Sequence, residues 1–213
     1  MASLPVGQFI PIGPGRNNMT TRKNEPMTHF LSLEIQRNEL LEIFSRKLNA
    51  LQQDLAQWPG IGKPTKTTSV HVTVAALSVS KEELEEVTGK IDKAIKQYRK
   101  ITNPTTGLLV EFKGLDFGDD ALWASMTLGV DSLKMMRELI EIEAEPYIVD
   151  NRFNPHLSIY RKCGASEEVK EGVRSSVGGV ELGCLNVEAI TLREKKMGDG
   201  ILKPYKKWSF LNL

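Results

Sequence analysis

Cysteine is scarce in this chain: Cys163 and Cys184 are the two among 213 residues. Their spacing offers neither a disulfide framework nor a zinc-binding set, so a reducing compartment, cytoplasm or nucleus, is the expected setting. Long apolar runs are absent. None approaches the eighteen or so residues a bilayer requires, and no membrane partner is expected. The opening stretch has no basic residue ahead of its apolar part and is broken by Pro5 and Pro11, unlike a secretory signal. Alanine at position 2 excludes N-myristoylation. An excess of either charge is also missing. With 28 basic and 27 acidic side chains the formal net charge is +1, which argues against a broad nucleic-acid-coating surface but leaves room for a local cleft that takes a short oligonucleotide.

What is present is an ordinary globular composition, 26% charged and 40% hydrophobic, at a length that suits one substantial core. Pro5, Pro11, Pro14 and Pro26, Gly13-Pro14-Gly15 and a polar run mark residues 1–26 as a tail, with one domain over 27–213. No coiled-coil heptads occur, so a monomer is expected. Phe30 to Ile35 reads as a strand, and Leu41, Phe44, Leu48, Leu51 and Leu55 recur at helical spacing from about Asn38. A second helix carries Leu84, Val87, Ile91, Ile95 and Tyr98 after a capping box at Ser80-Lys81-Glu82-Glu83. Strands at 108–112 and 122–128 form a hairpin over Gly118-Asp119-Asp120. A helix at 131–144, a short helix from Ser166, and strands at 187–192 and 208–213 complete the chain. Gly60-Ile61-Gly62-Lys63-Pro64 superficially suggests a phosphate loop. The Walker pattern fails, because Gln57 stands where its first glycine belongs and Pro64 follows the lysine. Lys63 and Lys66 are read as solvated residues of a connection that leads into the next strand.

Histidine is scarce too, with three residues, and the placement of two is informative. His71-Val72-Thr73-Val74 and His156-Leu157-Ser158-Ile159 are copies of one pattern, eighty-five positions apart (71 to 156). Strand side chains alternate faces, so each histidine shares a face with the hydroxyl two residues on, about 7 Å away. Such a pair suits a phosphate-sized anion. With two copies facing one pocket, one imidazole accepts a proton while the other donates one, a task matched to an ordinary pKa of about 6.5. His29 is read as structural. A three-histidine zinc site lacks the usual ligand spacing, and no metal or other cofactor is expected.

These motifs, with Pro155 immediately before the second histidine, Phe153 two positions before that proline, the opening Phe30-Leu31-Ser32-Leu33 and a closing hairpin, resemble the two-histidine (2H) phosphoesterases. The resemblance covers about residues 27–213. It is closest to the branch with the central domain of A-kinase anchoring protein 7 and viral 2′,5′-phosphodiesterases. It implies a bilobal α+β fold of two antiparallel sheets with outer helices and a central groove. It also implies metal-independent phosphodiester cleavage of short RNA-like molecules, with His71 and His156 as the acid–base pair and Thr73 and Ser158 on the phosphate oxygens. The expected substrate is a 2′,5′-linked oligoadenylate. The alternatives are a 2′,3′-cyclic or 1″,2″-cyclic nucleotide, RNA 3′-end processing, or a non-catalytic RNA-binding role.

Arg161 is a further phosphate-binding candidate. Strict alternation puts it on the face opposite His156, so it needs a bulge or a strand end to reach the site. Phe153 and Tyr160 are the base-stacking candidates, with Trp123, Tyr205 and Trp208 as further aromatics. Lys203, Lys206 and Lys207 form a basic cluster read as a solvated strand edge.

Overall fold

The structure, a computed structural model, describes residues 25–66, 71–149, 153–195 and 204–211. The tail through residue 24, Val70, Lys203 and the last two residues therefore lie outside the described residues. The elements run β1 (His29–Ile35), α1 (Glu39–Leu55), β2 (Lys63–Pro64), β3 (Thr73–Leu77), α2 (Leu84–Thr102), β4 (Leu108–Phe117), β5 (Ala121–Leu128), α3 (Val130–Ala144), β6 (His156–Arg161), α4 (Glu167–Val177), β7 (Glu181–Glu194) and β8 (Pro204–Ser209). Among the described residues no helix is long and apolar enough to cross a membrane.

Local chemistry sets the helix limits. Asn38 caps α1, its side-chain oxygen accepting from the Leu41 amide at 3.2 Å, and Glu39 and Glu42 complement the first turn. The expected stripe of Phe44, Leu48, Leu51 and Leu55 is buried. Each such side chain contributes about 1.5–3 kcal/mol when fully withdrawn from water. The capping box ahead of α2 is half formed. Glu83 reaches back to the Ser80 amide at 2.9 Å, but the helix proper starts at Leu84 with no side-chain cap. Asn103 closes α2 in the left-handed region and Pro104 follows, which stops it.

The strands form an antiparallel α+β architecture in the order β2-β6-β5-β4-β7-β1-β3, with β8 beside β7. The two expected sheets are thus hydrogen-bonded into one path through the β4–β7 pairing. Strand β7 runs well beyond its predicted ends, over Glu181–Glu194, because it pairs with β4 along its first half and with β1 and β8 along its second. Cross-strand partners share a face, so one face carries Leu31, Leu33, Phe112, Leu122, Leu157 and Leu185, all buried. The helices pack on this face; Phe44 of α1 meets Phe112 edge-on at 5.8 Å.

The segment with the first histidine and the segment with the second pair with each other at both ends. At one end Lys63 and Pro64 pair with Arg161 and Tyr160, and the Thr65 amide donates to the Ile159 carbonyl at 2.8 Å. At the other end Leu77 bridges Ile148, and the Val149 amide donates to the Ala76 carbonyl at 3.0 Å. Between these pairings each segment keeps its own second neighbour, β1 for one and β5 for the other. Two strands held together at both ends and drawn apart between them leave one opening. His71 and His156 lie on its two sides.

Each segment is bulged at the residue after its hydroxyl. Val74 is the extra residue between Thr73 and Ala75 opposite β1, and Ile159 is the extra residue between Ser158 and Tyr160 opposite β5. A bulge leaves a carbonyl without its ladder partner. Here helix side chains donate to the bulged residues across the repeat: Arg137 of α3 to the Val74 carbonyl at 2.8 Å, and Gln52 of α1 at 3.1 Å to the Ile159 carbonyl, which also accepts from the Thr65 amide. Replacing the 2%-exposed Arg137 by leucine leaves the Val74 carbonyl buried without that donor. Arg137→Leu is expected to lower the unfolding free energy by about 1–3 kcal/mol, read from urea melts.

Candidate active site

The bulge at Ile159 decides which side chains of β6 face the opening. His156 pairs with Ser125 and Ser158 with Trp123, on the face away from the helices. Beyond the bulge the alternation is reset. Tyr160 pairs with buried Leu122 and turns to the helix side, and Arg161 pairs with Ala121 and returns to the face of His156. The bulge that Arg161 required is present. Tyr160, by contrast, is no stacking surface: it is buried, its hydroxyl donates to the Gln52 carbonyl at 2.6 Å, and burial holds its phenol above the ordinary pKa.

His156 is half-buried, and its Nδ1 lies 2.8 Å from the Asn154 carbonyl. A carbonyl oxygen only accepts, so Nδ1 carries a proton and Nε2 is the nitrogen left for chemistry. The Trp123 ring lies against the imidazole, centroids 4.7 Å apart and planes at 36°. Gly118 makes room for the indole. A Cβ there would lie 2.1 Å from Trp123 Cζ3.

The other side is built alike. His71 and Val72 precede β3, whose first residue is Thr73, and both His71 and Thr73 are half-buried. Phe30 of β1 lies against the His71 ring at 5.3 Å, tilted by 35°. Thr73 pairs with Ser32, and Ser32 with Thr191 of β7. On this face Arg193 donates to Ser32 Oγ at 2.9 Å and to Glu34 Oε2 at 2.8 Å, while Thr191 Oγ1 donates to the same carboxylate oxygen at 3.0 Å. Sequence reasoning misses this polar group, although polar residues at every second position of two apolar strands, Ser32/Glu34 and Thr191/Arg193, are its signal.

His71, Thr73, His156, Ser158 and Arg161 thus border one opening on one sheet face. Phe153 is half-buried against the core. Trp208 is buried, Lys206 lies over its ring, and Lys207 pairs with Glu188, so the basic residues of β8 are occupied structurally. Tyr205 is exposed. Cys163 donates to the Ile61 carbonyl, and burial raises its thiol pKa. A cleft of about 360 Å³ beside the start of α3, lined by Leu108, Leu109 and Leu128 among others, contains none of the predicted site residues.

Comparison with known proteins bears on the family and the fold. The family described as the AKAP7 2′5′ RNA ligase-like domain matches residues 27–177, a span that holds both histidine motifs. Escherichia coli LigT complexed with 3′-AMP is 19% identical over 89% of this chain and 100% of its own, with a TM-score of 0.55. TT0787 of Thermus thermophilus is 18% identical over 86% of this chain and 98% of its own, at 0.59. The MHV ns2 PDE domain is 12% identical over 79% and 99%, at 0.54. At these identities the likenesses show a shared fold. No curated protein sequence matches the chain.

The surroundings of the histidines generate two predictions. His29 stands apart from the opening, 7% exposed, with Nδ1 3.0 Å from Thr28 Oγ1. Burial holds its pKa below 6.5, opposed in part by Glu194. Below pH 6.5 the unfolded chain therefore binds a proton that the folded chain refuses, so stability present above that pH is lost as the pH falls. Urea melts should give a shallower loss between about pH 7 and pH 5 for His29→Gln than for the parent. Gly118→Ala is expected to displace the indole from His156 while leaving the fold intact, seen as a changed near-ultraviolet dichroism with an unchanged far-ultraviolet spectrum.

Proposed function

The chain belongs to the AKAP7 2′5′ RNA ligase-like domain family and is a phosphodiesterase of the two-histidine phosphoesterase superfamily; from that premise we propose that it cleaves short 2′,5′-linked oligoadenylates, with His71 and His156 as the general acid–base pair. The observation that carries this reading is the opening itself, bordered on each side by a histidine and a hydroxyl on the same strand face. The domain that acts is taken as residues 27–213. The E. coli neighbour crystallised with 3′-AMP and the viral PDE domain support a nucleotide phosphate as the bound group.

One histidine takes the proton of the free ribose hydroxyl beside the scissile phosphate, and that oxygen bonds to phosphorus. The bond from phosphorus to the leaving ribose oxygen breaks, and the other histidine gives that oxygen its proton. When the cyclic phosphate so formed is opened, water is the attacking group and the two roles reverse. The hydroxyls of Thr73 and Ser158 donate to the non-bridging oxygens as charge gathers there. The Asn154 carbonyl keeps His156 Nε2 directed to the reaction by holding Nδ1. Trp123, beside His156 and paired with Ser158, is the aromatic best placed to stack on a base, the role the sequence suggested for Tyr160.

The test is turnover of a 2′,5′-linked triadenylate in excess EDTA, with the 3′,5′ isomer alongside. The parent should release mononucleotide from the 2′,5′ trimer. His71→Ala and His156→Ala should each lose about two to four orders of magnitude in kcat while keeping the parent's melting profile. A folded parent that cleaves neither trimer overturns the oligoadenylate reading and points to cyclic phosphates, the substrate class the superfamily otherwise offers.

A further inference from the structure

The cleft beside the start of α3 opens on the sheet face that carries the second histidine, and a bulge puts it there. Along β5, Ser125 pairs with His156 and faces the opening, while Met126 pairs with Phe112 and turns to the buried side. Strict alternation then puts Thr127 on the open face and buries Leu128. Thr127 is instead the extra residue between Met126 and Leu128, so Leu128 pairs with Glu111 and returns to the face of Ser125, where it is 45% exposed. On β4, Val110 and Phe112 are buried, which leaves Leu109 and Glu111 on the same open face, and Leu109 is 40% exposed. The two leucines make an apolar wall in a cleft of about 360 Å³, a size ordinary for a small-molecule site.

The polar groups around this wall select the ligand. Glu111 is the cross-strand partner of Leu128 and is two residues from Leu109, and its Oε2 accepts from Thr127 Oγ1 at 2.9 Å, which fixes the carboxylate. Asp131, in the first turn of α3, adds a second carboxylate at the rim, and none of the lining residues is basic. A phosphate is repelled by such a set. A flat apolar ring with an amino edge fits it, the ring against the leucines and the N–H donated to Glu111. Leu128 lies three residues beyond Ser125, roughly 10 Å at the usual rise per residue, and Trp123 lies two residues before it. The two bases that flank one phosphate at His156 therefore have one surface each. We infer that the cleft is a nucleobase subsite, in which Leu109 and Leu128 hold the base on the side away from Trp123 and Glu111 accepts from its exocyclic amine. Among purines this selects adenine over a base with a carbonyl in that place. The inference rests on the phosphodiesterase reading and gives its preference for adenylate a residue.

Binding tests this apart from turnover. On the full chain carrying His71→Ala, across the opening from the cleft, calorimetry would compare a 2′,5′-linked diadenylate with the matching diinosinate, whose bases carry a carbonyl where adenine carries its amine. Stacking on Trp123 is indifferent to that exchange, because both bases present a π-face. The diadenylate is expected to bind roughly three- to tenfold more tightly, the range of one hydrogen bond. Glu111→Gln should bring the two ligands to within about twofold, since a carboxamide serves an amine and a carbonyl alike. Leu128→Ser should weaken both dinucleotides roughly three- to tenfold and leave the affinity for inorganic phosphate unchanged. Equal affinities before the second substitution, a preference that survives Glu111→Gln, a Leu128→Ser chain that binds as before or loses phosphate equally, or no binding of either dinucleotide would overturn the subsite. Failure of the catalytic reading shows separately, as a chain with both histidines that binds the diadenylate without cleaving it.

Discussion

The rest of the architecture depends on two segments that must pair at both ends and remain apart between. Residues 63–65 pair with 159–161, and residues 76 and 77 with 148 and 149, antiparallel at both ends. Were the pairing continuous, the histidines would lie in a closed ladder, with their faces set by a neighbouring strand. Because it is interrupted, β1 and β5 draw the segments apart, and the sheet path between them must curve back on itself to satisfy both ends. The face that carries both histidines is thus a consequence of closure. The central strands β4 and β7 serve it by spanning the distance from one side to the other.

Keeping such an opening requires the strands to turn where they leave each other, and the bulges at Val74 and Ile159 are placed there. A bulge in a buried sheet exposes backbone polarity that water cannot reach, at a cost comparable to a lost hydrogen bond. At each bulge a helix side chain contributes a donor, beside the Thr65 amide at Ile159, and the two helix donors cross. Gln52, in the helix before the first histidine, serves the bulge after the second; Arg137, before the second, serves the bulge after the first. Eighty-five residues separate Gln52 from Arg137 and Val74 from Ile159, the same offset as the histidines. The repeat in the letters is a repeat of this whole device, in which each half braces the hydroxyl-bearing turn of the other. Gln52 also donates to the Thr65 carbonyl at 2.9 Å, which extends the brace to the pairing at that end.

Much of this is legible in the letters alone. The apolar stripes of α1, α2 and α3 are plain because helix periodicity survives any tertiary context, and the paired motifs are plain because each combines a rare residue with a hydroxyl at strand spacing. What the letters hide is register. A one-residue bulge exchanges the faces of everything beyond it, so Tyr160 and Arg161 trade the sides that strict alternation assigns. Strand β2 is invisible for a different reason: a two-residue strand containing proline has no pattern of its own and exists through its partner. The Gly60–Gly62 corner reads as loop chemistry, and only the proximity of Arg161 and Gly164 gives its glycines a structural reason.

The two halves match where the reaction needs them to and differ elsewhere. Each histidine has an aromatic ring from the neighbouring strand and a hydroxyl two residues on. Opposite His156 in the register stands Ser125, whereas continuing the β1–β3 register sets Glu34 opposite His71, with its charge met by Arg193. Acid–base chemistry tolerates a symmetric pair, since each step needs one group of each kind and the return step reverses them. Recognition does not, because a nucleotide chain has a direction. A site built by duplication must acquire direction from residues that broke the symmetry afterwards. In this chain the halves differ in the indole at one histidine and the ion-paired polar group at the other.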